Sequence, residues 1–232
     1  MRLTLRVLSA LLRYPDEAVQ QAAGTFAPAL AAEGALAPSQ RASLQGLIDD
    51  LATGDLLDLQ ERYVALFDRG RAFSLHLFEH VHGESRDRGQ AMVDLRSRYE
   101  AQGLEISANE LPDYLPLFLE YLSTLSSKRV LGELAQPGVI FSALAERLEE
   151  KQTPYAAPLR ILADLAGAGG ETFEIAPPDD PEDLAALDAA WAEEQVRFDA
   201  PTPPVAGEAC PQAAALVARM HASAPVRSIP HG

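Results

Sequence analysis

Apolar residues in this chain recur at three- and four-residue spacing, and no stretch offers a convincing apolar–polar alternation. That period lays one apolar stripe along a helix and does not suit half-buried strands. Leu5, Leu8, Leu11 and Leu12 set the pattern. Leu44, Leu47, Ile48 and Leu51 repeat it, then Leu56, Leu59, Tyr63, Leu66 and Phe67. Leu and Ala dominate while β-branched residues are scarce, a usage that favours helices over sheets. The fold class expected is all-α, a single-domain bundle of about nine to eleven helices.

Helix punctuation divides the pattern. The spacing predicts helices over 3–13 and 17–31, the second capped by Asp16. Pro38-Ser39 opens a third, and Asp55 caps a fourth that breaks at Asp68-Arg69-Gly70. A short helix is expected over 74–82, stopped by Gly83, then a long one over 85–102 with Gly103 as its C-cap glycine. Asn109 is read as the start of the next, with Pro112 tolerated in its first turn. Further helices are expected at 128–135, 138–151 and 155–166, after which Gly167, Gly169 and Gly170 end the regular pattern. The domain proper is thus 1–166. An acidic linker and helix follow over 167–198, the helix at 181–195 carrying Leu184, Leu187 and Trp191 on one side. Residues 199–232 are rich in Pro and Ala and read as a largely disordered tail with room for one short helix at 211–222.

The formal net charge is −15, which argues against nucleic acid or an anionic membrane as a main partner and favours basic peptides or proteins. Residues 171–199 hold ten acids against one base, Arg197, a net of −9. The single cysteine, Cys210, excludes an intramolecular disulfide and fits a reducing compartment. Its neighbours do nothing to activate it. The early apolar run is interrupted by Arg13, Tyr14 and Pro15, so it reads as the first helix and not as a signal peptide. No run of eighteen apolar residues is present, so nothing is expected to span a membrane.

The chemistry-bearing stretch is 73–123. His76-Leu77-Phe78-Glu79-His80 matches H-x-x-E-H, the inverted zinc-protease motif. On one helix His76 and His80 would share a face and could hold a metal, with Glu79 as general base to a bound water and His82 as a further nitrogen. No third ligand follows in a recognisable partner motif, and the pattern fixes only three positions. The reading is therefore that no metal or other cofactor is bound, with a zinc-dependent hydrolase as the alternative. Neither a GxxxxGKS/T loop nor GxGxxG occurs, and Gly83-Glu84-Ser85-Arg86-Asp87 lacks the last glycine of a nucleophile elbow. Further on, Leu115, Phe118, Leu119 and Leu122 form one apolar face, and Tyr114, Leu117 and Tyr121 a second. A helix apolar on both sides is central in a core or lines a cavity. Glu110 and Asp113 stand at its start, where negative charge is favoured. A core helix with an acidic first turn and an acidic, aromatic-edged pocket for a basic apolar peptide both fit these residues.

Glu110-Leu111-Pro112-Asp113-Tyr114-Leu115, with Leu117-Phe118-Leu119-Glu120-Tyr121-Leu122 after it, resembles the E-x-P-D-H signature of the redox-enzyme maturation chaperones. The block FSLHLFEHVHGESRDRGQAMVDL, the opening LLRYPDE and the late WAEEQVRF are similar to the nitrate reductase branch of that group, the NarJ-type assembly chaperones. The resemblance covers about residues 8 to 198, with one departure: Tyr114 stands where the signature has histidine. A tyrosine keeps an aromatic hydrogen-bonding edge but does not become cationic near neutral pH.

The resemblance implies a TorD-like, all-helical, cytoplasmic protein that is not an enzyme. It would bind the apo catalytic (alpha) subunit of respiratory nitrate reductase through its N-terminal segment, a remnant of a twin-arginine leader. It would hold that subunit ready for molybdenum cofactor insertion before membrane attachment, with cofactor delivery proteins as further partners and no stable membrane association of its own. The binding mode expected is helix-in-groove. Leu115, Phe118 and Tyr121 would meet apolar client side chains and Glu110 and Asp113 client basic groups, with Leu111, Pro112 and Tyr114 of the signature also at the client site, and His80, Glu84 and Arg86 would line the opposite wall. A generic helical adaptor for basic peptides is the blander alternative.

Overall fold

A computed structural model describes residues 1–82, 86–106 and 110–167, the side chains of 82 and 86 excepted. Among these residues the fold contains eleven α-helices, one 3-10 turn and no strand. The helices are α1 (Arg2–Leu12), α2 (Glu17–Ala23), α3 (Phe26–Glu33), α4 (Pro38–Thr53), α5 (Leu56–Phe67) and α6 (Leu77–His82). They continue as α7 (Arg86–Glu100), α8 (Leu115–Ser123), α9 (Ser127–Leu134), α10 (Gly138–Glu150) and α11 (Ala156–Ala166). The 3-10 turn, Arg71–Phe73, joins α5 to the stretch before α6. The linker, the helix at 181–195, the tail and Cys210 lie outside the described residues.

One contiguous core runs through the bundle. Its most extensive pairings are α10 with α11 and α1 with α8. The stripe Leu5, Leu8, Leu11 and Leu12 is fully buried, as are Leu115, Leu119 and Leu122 of α8. Ser9 of α1 donates to the Pro116 carbonyl at 2.8 Å, so the α1–α8 contact carries a buried hydrogen bond as well as apolar surface. No described helix is long and apolar enough to cross a membrane.

Three helix ends follow the expected caps. Asp16 accepts from the Val19 amide at 2.7 Å, and Asp55 from Leu57 and Asp58 at 2.9 and 3.2 Å. After α7 the chain turns at Gly103 with φ of +75°, and the Leu104 amide reaches back to the Tyr99 carbonyl at 3.1 Å. That left-handed position, with its bond from beyond the helix end, suits glycine.

Three boundaries differ from expectation, each for a local reason. The helix expected over 17–31 is two, α2 and α3, parted at Gly24-Thr25. Pro28 has no N–H for the Gly24 carbonyl, and its ring crowds that carbonyl, so no continuous helix passes this point. The helix expected from Asn109 begins at Leu115, with Pro116 in its first turn. Pro116 cannot bond the Pro112 carbonyl, and Pro112 biases Leu111 away from the helical region. Residues 110–114 are therefore a turn, and Asn109 lies outside the described residues. The helix expected over 74–82 starts at Leu77, because 75–77 pair with 113–115.

The N-terminus of α1 is capped from a distance. Glu33, the last residue of α3, accepts from the Leu3 and Thr4 amides, each at 2.8 Å, and from the Thr4 hydroxyl at 2.6 Å. Burial pushes its carboxyl up, but the Met1 ammonium, the Thr4 hydroxyl and the two amides outweigh this and hold its pKa at about 2. A depressed folded-state pKa stabilises the fold above the ordinary carboxylate value and loses that effect as pH falls through the folded value. Glu33→Gln is therefore expected to lower stability by about 1–3 kcal/mol at pH 7. That deficit should shrink between pH 4.5 and about 2, the ordinary and folded values for Glu33. Urea unfolding of both proteins across that range measures it.

Candidate functional site

The turn 110–114 and the stretch 74–77 meet as a short antiparallel pair centred on His76 and Tyr114. The Leu115 amide donates to the Leu75 carbonyl at 2.8 Å, and the Leu77 amide to the Asp113 carbonyl at 3.1 Å. Asp113 is 0% exposed, and its carboxylate accepts from the Phe78 amide at 3.1 Å. Carbonyl and carboxylate of one residue thus satisfy the first two amides of α6, a cap supplied across 35 residues of sequence. The other carboxylate oxygen lies 3.2 Å from His76 Nδ1.

The turn is held at nearly every carbonyl. Leu111 O accepts from the Tyr114 amide, Pro112 O from the buried Tyr99 hydroxyl at 2.7 Å, Asp113 O from Leu77, and Tyr114 O from the Phe118 amide. Tyr114 joins a second network. The Tyr63 hydroxyl bonds the Leu12 carbonyl at 3.0 Å, which spends its only proton. The Tyr114 hydroxyl, 3.0 Å away, therefore donates to the Tyr63 oxygen. This chain of bonds satisfies a carbonyl at the C-terminal end of α1 and ties the start of α8 to it. The donor at position 114 need not carry charge for this role.

His76 and His80 have separate partners. His80 Nε2 lies 2.8 Å from the Ser74 carbonyl and donates to it, while the Ser74 hydroxyl accepts from the His76 amide at 3.1 Å. Since α6 begins after His76, the two rings are not stacked on one helical face as the H-x-x-E-H reading required. Glu79 pairs with Arg88 of α7 at 3.2 Å. Among the described residues no group of three or more His, Cys, Asp and Glu is placed to hold a metal.

The electrostatics divide the two histidines. Burial pulls the His76 pKa down, but its hydrogen bond to Asp113 and the Asp113 charge outweigh this and raise it above the usual value. Burial lowers His80, only partly opposed by the Ser74 carbonyl. Burial raises the Glu79 carboxyl, yet the Ser74 hydroxyl, His76 and Arg88 bring it below the usual range. Ring-nitrogen NMR is expected to show His76 titrating above pH 6.5 and His80 below it. The reverse order would mean that Asp113 does not hold an imidazolium. In stability terms the two act oppositely as pH falls through that region: His76 strengthens the fold by gaining charge beside Asp113, and His80 weakens it by resisting charge.

The expected client-facing residues separate into two sets. Leu111 is 46% exposed, Glu110 is exposed, and Tyr114 and His80 are half-buried. Pro112, Asp113, Leu115, Phe118 and Tyr121 are buried. The apolar faces of α8 pack inward, and Tyr121 lies against Tyr99 with ring centroids 4.7 Å apart and under Arg98 at 5.9 Å. Leu115, Phe118 and Tyr121 are thus core here and not an open groove wall, and Asp113 has no free surface for a client cation. Glu84 and the Arg86 side chain lie outside the described residues. Sequence reasoning missed Ser74, Tyr63 and Tyr99. The last two were legible as apolar-face tyrosines, whose hydroxyls need partners when buried.

A crystal structure of a putative redox enzyme maturation protein from Archaeoglobus fulgidus matches the fold with TM-score 0.53 at 23% identity, covering 72% of this chain and 94% of that one. The model of the nitrate reductase delta subunit family matches residues 16–160, and the chain belongs to that family. It is 45% identical over 198 residues to the nitrate reductase molybdenum cofactor assembly chaperone NarJ of Escherichia coli (strain K12), covering 84% of each chain. It is 42% identical over 200 residues to the probable assembly chaperone NarW of the same organism, covering 84% of this chain and 83% of that one. These relatives are named as assembly chaperones and not as catalysts.

Proposed function

We propose that this protein is a system-specific cytoplasmic chaperone for the assembly of respiratory nitrate reductase. It binds the apo catalytic subunit through that subunit's N-terminal segment and keeps it open for molybdenum cofactor insertion before membrane attachment. The observation that carries this reading is 45% identity to the NarJ chaperone over 84% of both chains. The corner built by 74–80 and 110–114 is the client site. Its exposed edge offers Leu111 for apolar contact and Glu110 for a basic group, beside the half-buried Tyr114 and His80. The hydrogen bonds beneath hold that edge in one shape, so little ordering cost falls on binding. Asp113, Leu115, Phe118 and Tyr121 act behind it as supports. A net charge of −15 speeds encounter with a basic segment, and the effect weakens with salt.

Two measurements test the reading. Co-purification from cells expressing the apo catalytic subunit is expected to recover the pair, and deletion of the client's N-terminal segment is expected to abolish most recovery. Titration of a peptide of that segment is expected to show about tenfold weaker binding to a Glu110→Ala, Leu111→Ala double variant. Unchanged peptide affinity would displace the site from this corner. Failure of co-purification would sink the function itself.

A further inference from the structure

A groove of about 670 Å³ runs along α1, walled by α2 and α3 on one side and by the end of α8 and Leu104 on the other. Its floor includes Val7 and Phe26, and its charged residues are Arg2, Arg6 and Arg13 against Asp16 and Glu120, the two acids lying toward the Arg13 end and Arg2 and Arg6 toward the other. Arg13 faces Glu120 at 3.8 Å. Arg2 and Arg6 form no ion pair among the described residues, and both are exposed. Two such arginines on α1 bordering an apolar trough do not suit a basic ligand. In a chain of net charge −15 they stand out as a local reversal of sign.

We propose that this groove is the docking site of the chain's own acidic segment, residues 181–195. Three observations support that occupant. The first is charge: the surrounding stretch 171–199 carries a net of −9, from ten acids and Arg197. The second is pattern. At helical spacing Leu184, Leu187 and Trp191 form one stripe, with Asp188 on one edge and Asp183 and Glu194 on the other. An apolar stripe between acidic edges is the complement of an apolar trough with an arginine rim. The third is reach. Asp164, near the end of α11, accepts from Gln40 at 3.0 Å, and Gln40 follows the short connection from Glu33, which caps α1. The chain therefore leaves α11 on the side of the fold where α1 begins. The fourteen residues 167–180 can span up to about 45 Å, whereas the rim from Arg2 to Arg13 is about 16 Å long.

The proposal does not depend on the client reading. Its consequence for that reading is spatial: the Arg13 end of the groove adjoins Tyr14 and so the Tyr114 corner. The segment is then held beside the client site by the chain's own charges.

Disulfide trapping in the full chain tests it. In a Cys210→Ala background, Ala22→Cys in the groove is combined with Leu187→Cys. A control combines Leu187→Cys with Val93→Cys, an exposed position outside the groove. The expected result is a rapid bond within one molecule for the first pair and none for the control. Arg2→Glu with Arg6→Glu, both at exposed positions, should slow trapping about tenfold, and adding Asp183→Arg with Asp188→Arg should restore it. Trapping only between two molecules would assign the groove to a second copy and overturn the proposal. Equal trapping in the control, or a rate indifferent to the charge reversals, would also overturn it.

Discussion

Asp113→Ala is expected to cost about 3–5 kcal/mol of stability, the range for removing one partner of a buried ion pair. The carboxylate has no exposure and two jobs, accepting from the Phe78 amide and balancing His76. Alanine leaves a buried amide without an acceptor and an imidazole without its counter-charge. Asp113→Asn separates the two effects. Its side-chain carbonyl can still accept from Phe78, so the loss should be smaller, about 1–3 kcal/mol. What remains should depend on pH. His76 has a raised folded-state pKa, so the charge interaction is fully present below pH 6.5 and disappears as pH rises through the folded value. The deficit of Asp113→Asn should therefore be greatest at pH 6 and smaller at pH 9, by urea unfolding at each. A deficit independent of pH would leave Asp113 as a cap alone.

This residue also shows where sequence stops being legible. The apolar period announced the helices, because burying one stripe per helix is a local requirement visible in spacing. Asp16 and Asp55 announced their caps for the same reason, since a cap lies within three residues of what it serves. Asp113 caps a helix that begins 36 residues earlier in the chain, at Leu77, and nothing in the spacing encodes that. The Glu33 cap on α1 is hidden in the same way. The H-x-x-E-H match misled for a related reason. It assumed one helix through both histidines, whereas pairing with 113–115 holds His76 out of the helix. The resemblance to the maturation chaperones pointed to residues 110–121 as one client-facing set, and the fold divides that set by burial. Only burial sorts Glu110 and Leu111 from Asp113, Leu115, Phe118 and Tyr121.

The same sorting makes Phe118→Ala a sharp test. If Phe118 were a groove wall, truncating it would weaken client binding and leave the fold almost untouched. The structure places the ring at 5% exposure, on the α8 face that packs into the bundle, with its centroid 6.3 Å from that of Tyr121. Truncating a buried phenylalanine removes its transfer energy and leaves a cavity, so the expected loss is about 3–5 kcal/mol. A loss of that size is a large share of the total for a domain of ordinary stability. Peptide affinity should then be compared at a temperature where both proteins remain folded, and is expected to change less than threefold, which is about 0.6 kcal/mol. Leu111→Ala should show the opposite pair of results. Its side chain is 46% exposed, so little buried surface is lost from the fold, while the client loses its apolar contact. A Phe118→Ala protein of normal stability and weakened client binding would mean that α8 turns outward when client is bound. In that case the buried face seen here would be the closed state of a groove.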